Sequence, residues 1–313
     1  MDKIYDVIVL GAGPAGLTAG LYAGRSRLST LIIEKGQDGG QIAITNEIEN
    51  YPGQMLEGES GPSLIKRMTE QAKKFGCERA ADTIKSVDLN GDVKTLTGVK
   101  DTYKSKTVII ATGCFPKPIG CKNEGQFVGK GISFCATCDA NFYEGCDVYV
   151  VGGGDSAVEE AMYLTGFAKH VTLIHRRDAL KAAKSIQEKA FKNPKMSFMW
   201  DTVVEEVGGS EIMEYMIVKN VKTNETKKIT CAPDDELGIF GLFGFIGYNP
   251  NSALFQGIID MDERGNIKTD ADMHTNIPGV FAAGDIRVKS LRQVSTAVGD
   301  GAIAAVQAEK YLS

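Results

Sequence analysis

The chain has 313 residues, 43% hydrophobic and 24% charged, which is room for two packed domains and ordinary for a globular protein. Its net charge of −5, with no long basic block, argues against a nucleic-acid partner, because neutralising phosphates needs a basic footprint. No apolar run reaches the roughly 18 residues of a membrane span. The seven cysteines are an odd number, which disfavours a disulfide scaffold.

The sequence begins MDKIYDVIVLGAGPAG, without a basic n-region or a cleavage site, so no signal peptide and a reducing, cytoplasmic setting are expected. Residues 4–10, IYDVIVL, read as a buried parallel strand. Gly11, Gly13 and Gly16 follow as GAGPAG, then a helical stretch and a second strand, STLIIE, that ends at Glu34. This is the whole context of a dinucleotide fold: glycines for the tight turn, a helix N-terminus for the pyrophosphate, and a carboxylate 23 residues after Gly11 for a ribose diol.

Residues 131–139 read GISFCATCD. Cys135 and Cys138, spaced i and i+3, can open to a dithiol or close to a disulfide with little backbone movement. A helix N-terminus at the first cysteine would favour its thiolate, and Asp139 stands ready to supply or remove a proton. The alternatives are half of a zinc site or two inert cysteines. Zinc wants four ligands, and there is no second CxxC, nor does His170, His175 or His274 stand at ligand spacing to the pair. Cys77, Cys114, Cys121, Cys146 and Cys231 read as small apolar residues without chemistry.

A second nucleotide unit starts at residue 147. The strand DVYVV leads into Gly152, Gly153 and Gly154, a helix, and a strand HVTLI ending at His175, Arg176 and Arg177. His175 follows Gly152 by 23 residues, the spacing of the first unit. Glu34 would repel a ribose 2′-phosphate, whereas Arg176 and Arg177 would attract one, if they are not simply a solvated surface pair. FAD in the first unit and NADPH in the second is the simplest assignment. Further on, the glycine-rich run 238–247 reads as a linker, GVFAAGD (279–285) as a strand and turn, and a final helix is expected from about Gly299.

Taken together, these motifs resemble the low-molecular-weight thioredoxin reductases. GAGPAG, GGQ (39–41), ENYPG (49–53), ATG (111–113), CATCD (135–139), GGGDSAVEEA (152–161), HRRD (175–178), AAGD (282–285) and RQV (292–294) occur in that family's order across nearly the whole chain. The resemblance implies that Gly11, Gly13, Pro14, Ala15, Gly16, Glu34, Lys35, Gly40, Gln41, Asn50, Thr112 and Gly113 hold FAD. Gly284, Asp285, Arg292, Gln293 and Val294 would complete that site. It implies that Gly152, Gly154, Asp155, Ser156, Ala157, Glu159, His175, Arg176, Arg177 and Lys181 hold NADPH. Cys135 would attack the substrate disulfide, Cys138 would lie nearer the flavin, and Asp139 would be the acid–base residue. The chain departs from the family in three ways: Lys181 stands where a third arginine is usual, keeping the charge without the planar fork, Ala140 stands where glycine is common, and GLFGFIGYNPNS (241–252) is richer in glycine than the usual counterpart.

The expected fold is α/β, with two Rossmann-like three-layer nucleotide-binding domains. An NADPH domain carrying the CxxC (117–246) is inserted in a discontinuous FAD domain (1–116 and 247–313), with Phe115 to Pro118 as a linker. Because the nicotinamide site and the disulfide share the inserted domain, that domain is expected to rotate between half-reactions. The implied activity is transfer of electrons from NADPH through FAD and the Cys135–Cys138 disulfide to thioredoxin or a thioredoxin-like protein, in a cytoplasmic homodimer without metal, membrane or nucleic-acid partner. The competing readings are a related flavin disulfide reductase served by ferredoxin or dedicated to another protein acceptor, and a redox-sensing flavoprotein without turnover. The complete GGGDSA and HRR motifs favour NADPH over ferredoxin.

Overall fold

A computed structural model describes residues 3–44, 48, 50–55, 59–231 and 238–313. Glu49 of the ENYPG motif lies outside the described residues. The chain divides into two compact units, Met1–Phe115 with Asn249–Ser313, and Pro116–Tyr248.

The first segment contains β1 (Ile4–Leu10), α1 (Pro14–Arg25), β2 (Thr30–Glu34), a 3-10 turn (Gly40–Ile44), α2 (Gly61–Lys74), β3 (Glu78–Ala81), β4 (Ile84–Asp88), β5 (Lys94–Gly98), β6 (Thr102–Ile110) and β7 (Cys114–Pro116). In β1, Val7 and Val9 join one core cluster while Ile8 and Leu10 join another, so alternate side chains bury both faces of the sheet. Each such side chain contributes roughly 2 kcal/mol by leaving water. The sheet order is β3-β2-β1-β6, all parallel, with β5 and β4 added antiparallel along the first half of β6.

The inserted unit contains α3 (Glu124–Phe127), β8 (Ile132–Ser133), α4 (Ala136–Asp139), β9 (Asp147–Gly152), α5 (Asp155–Leu164), β10 (His170–Ile174), α6 (Lys184–Lys192) and β11 (Met196–Met199). It continues through β12 (Thr202–Gly208), β13 (Tyr215–Asn220), β14 (Thr226–Thr230) and β15 (Phe240–Phe245). A parallel sheet runs β11-β10-β9-β15-β8, and β12 to β14 form a separate antiparallel sheet. The run 238–247 is therefore not a plain linker: it contains β15, a buried strand between β9 and β8. Its glycines serve packing. A Cβ on Gly241 would come within 2.9 Å of the Tyr143 ring, and one on Gly244 within 2.7 Å of the Phe134 ring. Glycine in a strand interior often marks such a close approach.

The chain returns through β16 (Tyr248–Pro250), β17 (Val280–Ala282), which pairs with the second half of β6, and α7 (Val294–Leu312). Helix α7 starts at Val294 rather than near Gly299, because a reciprocal capping box between Gln293 and Thr296 satisfies its first turn. Gly299 and Gly301 lie inside it. A Cβ on Gly301 would sit 2.2 Å from the Ala15 carbonyl oxygen, so this glycine lets α7 pack tightly on α1. Each unit is thus a layered α/β fold around a sheet, mixed in the first unit and parallel in the second, with a strand–turn–helix at its heart, β1–α1 in one and β9–α5 in the other.

Candidate active site

Cys135 and Cys138 are joined by a disulfide, with Cα atoms 5.3 Å apart. Cys135 is the N-cap residue of the short helix α4, and Cys138 and Asp139 occupy its turn. The strand β8 delivers the chain to this turn, and Ala136 and Ala140 anchor it in the core of the inserted unit. Asp139 is half-buried, and its Oδ2 accepts a 2.6 Å hydrogen bond from the Ser133 hydroxyl. Burial raises the proton affinity of Asp139 above that of an ordinary carboxylate, and the Ser133 bond opposes the rise. The other cysteines differ in kind. Burial pushes Cys77 up to about 11 and Cys114 and Cys121 up to about 12, so all three stay protonated at neutral pH. Cys146 is buried and Cys231 half-buried.

In the first unit, β1 ends at a turn that only glycine tolerates. Gly11 has φ +102°, and a Cβ there would lie 2.4 Å from the Ala111 carbonyl oxygen. A Cβ on Gly16 would lie 1.9 Å from the Gly11 oxygen. Pro14 and Ala15 open α1, whose N-cap, Gly13, has no side-chain cap. A Cβ built on Gly13 would meet nothing nearer than the Gly39 oxygen at 3.9 Å, which leaves the helix N-terminus open to an anion. Glu34 closes β2, and its Oε2 accepts from the Ala12 N–H at 3.0 Å, tying the carboxylate to the glycine turn. Lys35, Gly40, Gln41 and Asn50 are exposed, and the Asn50 amide donates to Gln293 Oε1 at 3.2 Å. Thr112 and Gly113 follow β6 and are bracketed by Asn251.

The end of β17 brings Gly284 and Asp285 into the same unit. Gly284 has φ +78°, and a Cβ on it would lie 2.8 Å from that of Ala15. Asp285 Oδ1 is buried without a hydrogen-bond partner among the described residues. Burial raises its proton affinity, while Lys289 and Arg292 oppose the rise. Arg292 donates to the carbonyl oxygen of Asp285 and to Asn266, so it braces the turn. Val294 is buried at the start of α7. An open helix N-terminus, a glycine cradle and a buried acceptor without a donor fit a dinucleotide whose hydroxyls supply that donor.

In the inserted unit, Gly152 ends β9 and Gly154 is the N-cap of α5, again without a side-chain cap. Among the described residues, a Cβ on Gly154 would meet nothing within 4 Å. Ser156 and Glu159 are exposed on α5 and Ala157 is buried under it. His175 is buried with Nε2 unpartnered among the described residues, and burial lowers its proton affinity. Arg176, Arg177 and Lys181 are exposed beside it. This edge fits an anionic nucleotide bearing an extra phosphate. Asp155 Oδ1 accepts from the Ala183 N–H at 2.7 Å and so braces the start of α6.

Two residues of these sites carry no sequence signal. Ser133 is an ordinary serine two positions before Cys135, and Asp300 lies inside α7. Asp300 Oδ2 accepts from the Gly284 N–H at 3.0 Å, Arg287 at 2.9 Å and Lys289 at 2.8 Å. Among the described residues no cluster of three or more His, Cys, Asp or Glu could hold a metal. Among them, too, no helix is long and apolar enough to cross a membrane.

Residues 5–301 match the profile of the pyridine nucleotide-disulphide oxidoreductases. The chain belongs to that family. A thioredoxin reductase of Peptoclostridium litorale is 57% identical over 312 residues, covering 100% of this chain and 98% of the relative. One from Listeria innocua is 45% identical, covering 99% and 95%. Among solved structures, thioredoxin reductase from Streptococcus pyogenes MGAS5005 has a TM-score of 0.91 at 45% identity and covers 100% of this chain and 99% of its own. This pyridine nucleotide-disulphide oxidoreductase thus shares its fold with these relatives over nearly its whole length.

Proposed function

We propose that the protein is an NADPH-dependent thioredoxin-disulfide reductase with FAD as its resident cofactor. The observation that carries this reading is the Cys135–Cys138 disulfide on a unit whose next strand, glycine turn and helix have the pattern of a nucleotide fold. Full-length relatives named thioredoxin reductase support it over a ferredoxin-served enzyme.

Bound FAD supplies a two-electron relay between NADPH and the protein disulfide. In our reading the unit of β1 and α1 holds FAD through its glycine turn, Glu34 and Asp285. The inserted unit holds NADPH through Gly152, Gly154, His175, Arg176, Arg177 and Lys181. Since that unit carries both the nicotinamide site and the disulfide, it turns to present each in succession.

Once the disulfide is open, Cys135 attacks as a thiolate. A bond forms from its sulfur to one sulfur of the substrate, and the substrate S–S bond breaks. The departing thiolate takes the proton held by Asp139. Asp139 recovers a proton from Cys138, whose thiolate attacks the Cys135 sulfur of the mixed disulfide. The internal disulfide re-forms and the second substrate thiolate leaves. Two electrons have passed from the dithiol to the substrate.

A homodimer is the expected assembly. The cytoplasm is the expected compartment, since an odd number of cysteines with a single CxxC pair suits a reducing setting. Reduction of a thioredoxin disulfide by NADPH, followed with and without the Cys138→Ser substitution, tests the proposal.

A further inference from the structure

The Ser133 side chain is buried at 4% exposure and sits where three polar groups of the redox turn converge. Its hydroxyl oxygen accepts from the Cys135 N–H at 3.1 Å. It lies 2.6 Å from Asp139 Oδ2 and 3.3 Å from the Cys135 carbonyl oxygen. A hydroxyl has one proton to give and two lone pairs. It can therefore donate to only one of those two oxygens at a time, and the choice follows the state of Asp139. When Asp139 is ionised, the Ser133 proton points at its carboxylate. When Asp139 is protonated, the carboxyl O–H donates into Ser133, and the Ser133 proton turns to the Cys135 carbonyl. Both arrangements leave every group at this junction bonded.

We propose that Ser133 is a positioning residue of the redox centre, whose hydroxyl bonds Asp139 in both of its protonation states and ties that carboxyl to the backbone of Cys135. The inference rests on the reading that Asp139 exchanges the proton of thiol–disulfide transfer. A carboxyl that must take and give a proton in each turnover needs a neighbour that suits both forms. A fixed cation would hold it ionised, and an apolar wall would hold it protonated.

The surroundings agree. The proton affinity of Asp139 is set by burial, which raises it, and by the Ser133 bond, which lowers it. Tyr143, on the 3-10 turn Ala140–Tyr143 that follows α4, keeps its own phenol proton, because burial and the Asp139 charge both raise its affinity. Helix α5 carries Glu159 and Glu160, and neither contributes to the shift of Asp139. The Cys146 thiol is buried and acts on Tyr143, not on Asp139. Ser133 thus hydrogen-bonds this carboxyl and moves its proton affinity.

The test uses the full-length holoenzyme and two readouts: the pH profile of thioredoxin reduction, and the infrared carboxyl stretch of Asp139, identified by its loss in Asp139→Asn. Ser133→Ala removes both bonds, of which the one to the charged carboxylate is the stronger, so the infrared midpoint and the alkaline limb of the profile both move up, by about one pH unit. Ser133→Thr keeps the hydroxyl and restores both. If Ser133→Ala does not fold, Ser133→Cys, close in size and a weak donor, takes its place with the same expected shift. An unchanged midpoint in the variant lacking the hydroxyl overturns the proposal. If Asp139→Asn itself leaves rate and profile intact, the role of Asp139 fails, a result separable from the failure of Ser133 alone.

Discussion

Asp300, in the second turn of α7, holds the backbone N–H of Gly284 at 3.0 Å and so fixes the turn that aims Asp285. The same carboxylate is shared by Arg287 and Lys289, both largely buried. Removing it leaves two cations and an N–H without their acceptor. Asp300→Ala is expected to cost about 3 kcal/mol of stability, because breaking one side of a buried ionic cluster strands the other. Chemical denaturation at neutral pH measures it. A loss within about 0.5 kcal/mol would mean that the cations find other acceptors.

Asp285 makes the opposite prediction. Burial raises its folded-state proton affinity above the unfolded value, so the stability it contributes is present at low pH and is lost as pH rises through the folded-state value. Above the unfolded-state value, keeping this partly unbonded carboxyl buried is then a cost to the flavin-free protein. Asp285→Asn should stabilise that form by about 1 kcal/mol at pH 7 and by less at pH 4, while lowering the affinity for FAD. Thermal unfolding of the flavin-free protein at both pH values, with FAD titration, checks the two halves separately.

The central motifs were legible because each couples a glycine turn to strands and a helix of strong pattern. Gly11 and Gly152 end strands whose apolar runs are unmistakable, and Glu34 and His175 fall where β2 and β10 end. What sequence could not reveal was packing at a distance. The glycines of Phe240–Phe245 look like those of a linker, and only the Tyr143 and Phe134 rings above them explain why a buried strand carries them. The early start of α7 depends on the Gln293–Thr296 box, which has neither the usual first residue nor the usual fourth of that motif. Ser133 and Asp300 were invisible for a similar reason. Their roles are defined by partners that the fold, not the local sequence, brings to them.

His175 lies directly over Gly153. A Cβ on that glycine would come within 2.2 Å of the imidazole Cε1. Gly153→Ala must therefore displace the ring and with it the start of the Arg176–Arg177 edge. KM for NADPH is expected to rise about tenfold, the equivalent of one lost contact, with FAD content unchanged. Steady-state kinetics and the flavin absorbance of the purified protein report both.

Arg176 and Arg177 are exposed, so their contribution to a 2′-phosphate is charge-assisted and screened by salt. Replacing both by alanine should lower the preference for NADPH over NADH by about a hundredfold at low ionic strength, and by less at high salt. A preference untouched by the double substitution would move the phosphate site elsewhere on the unit.

The most direct test of the whole account is NADPH-driven reduction of thioredoxin by wild type and by Cys138→Ser under identical conditions. With Cys138 absent, Cys135 has no resolving partner, and turnover should fall by about a thousandfold, with at most one substrate molecule held as a mixed disulfide. Continued turnover by Cys138→Ser at the wild-type rate would show that electrons reach the substrate by a route that bypasses the Cys135–Cys138 pair.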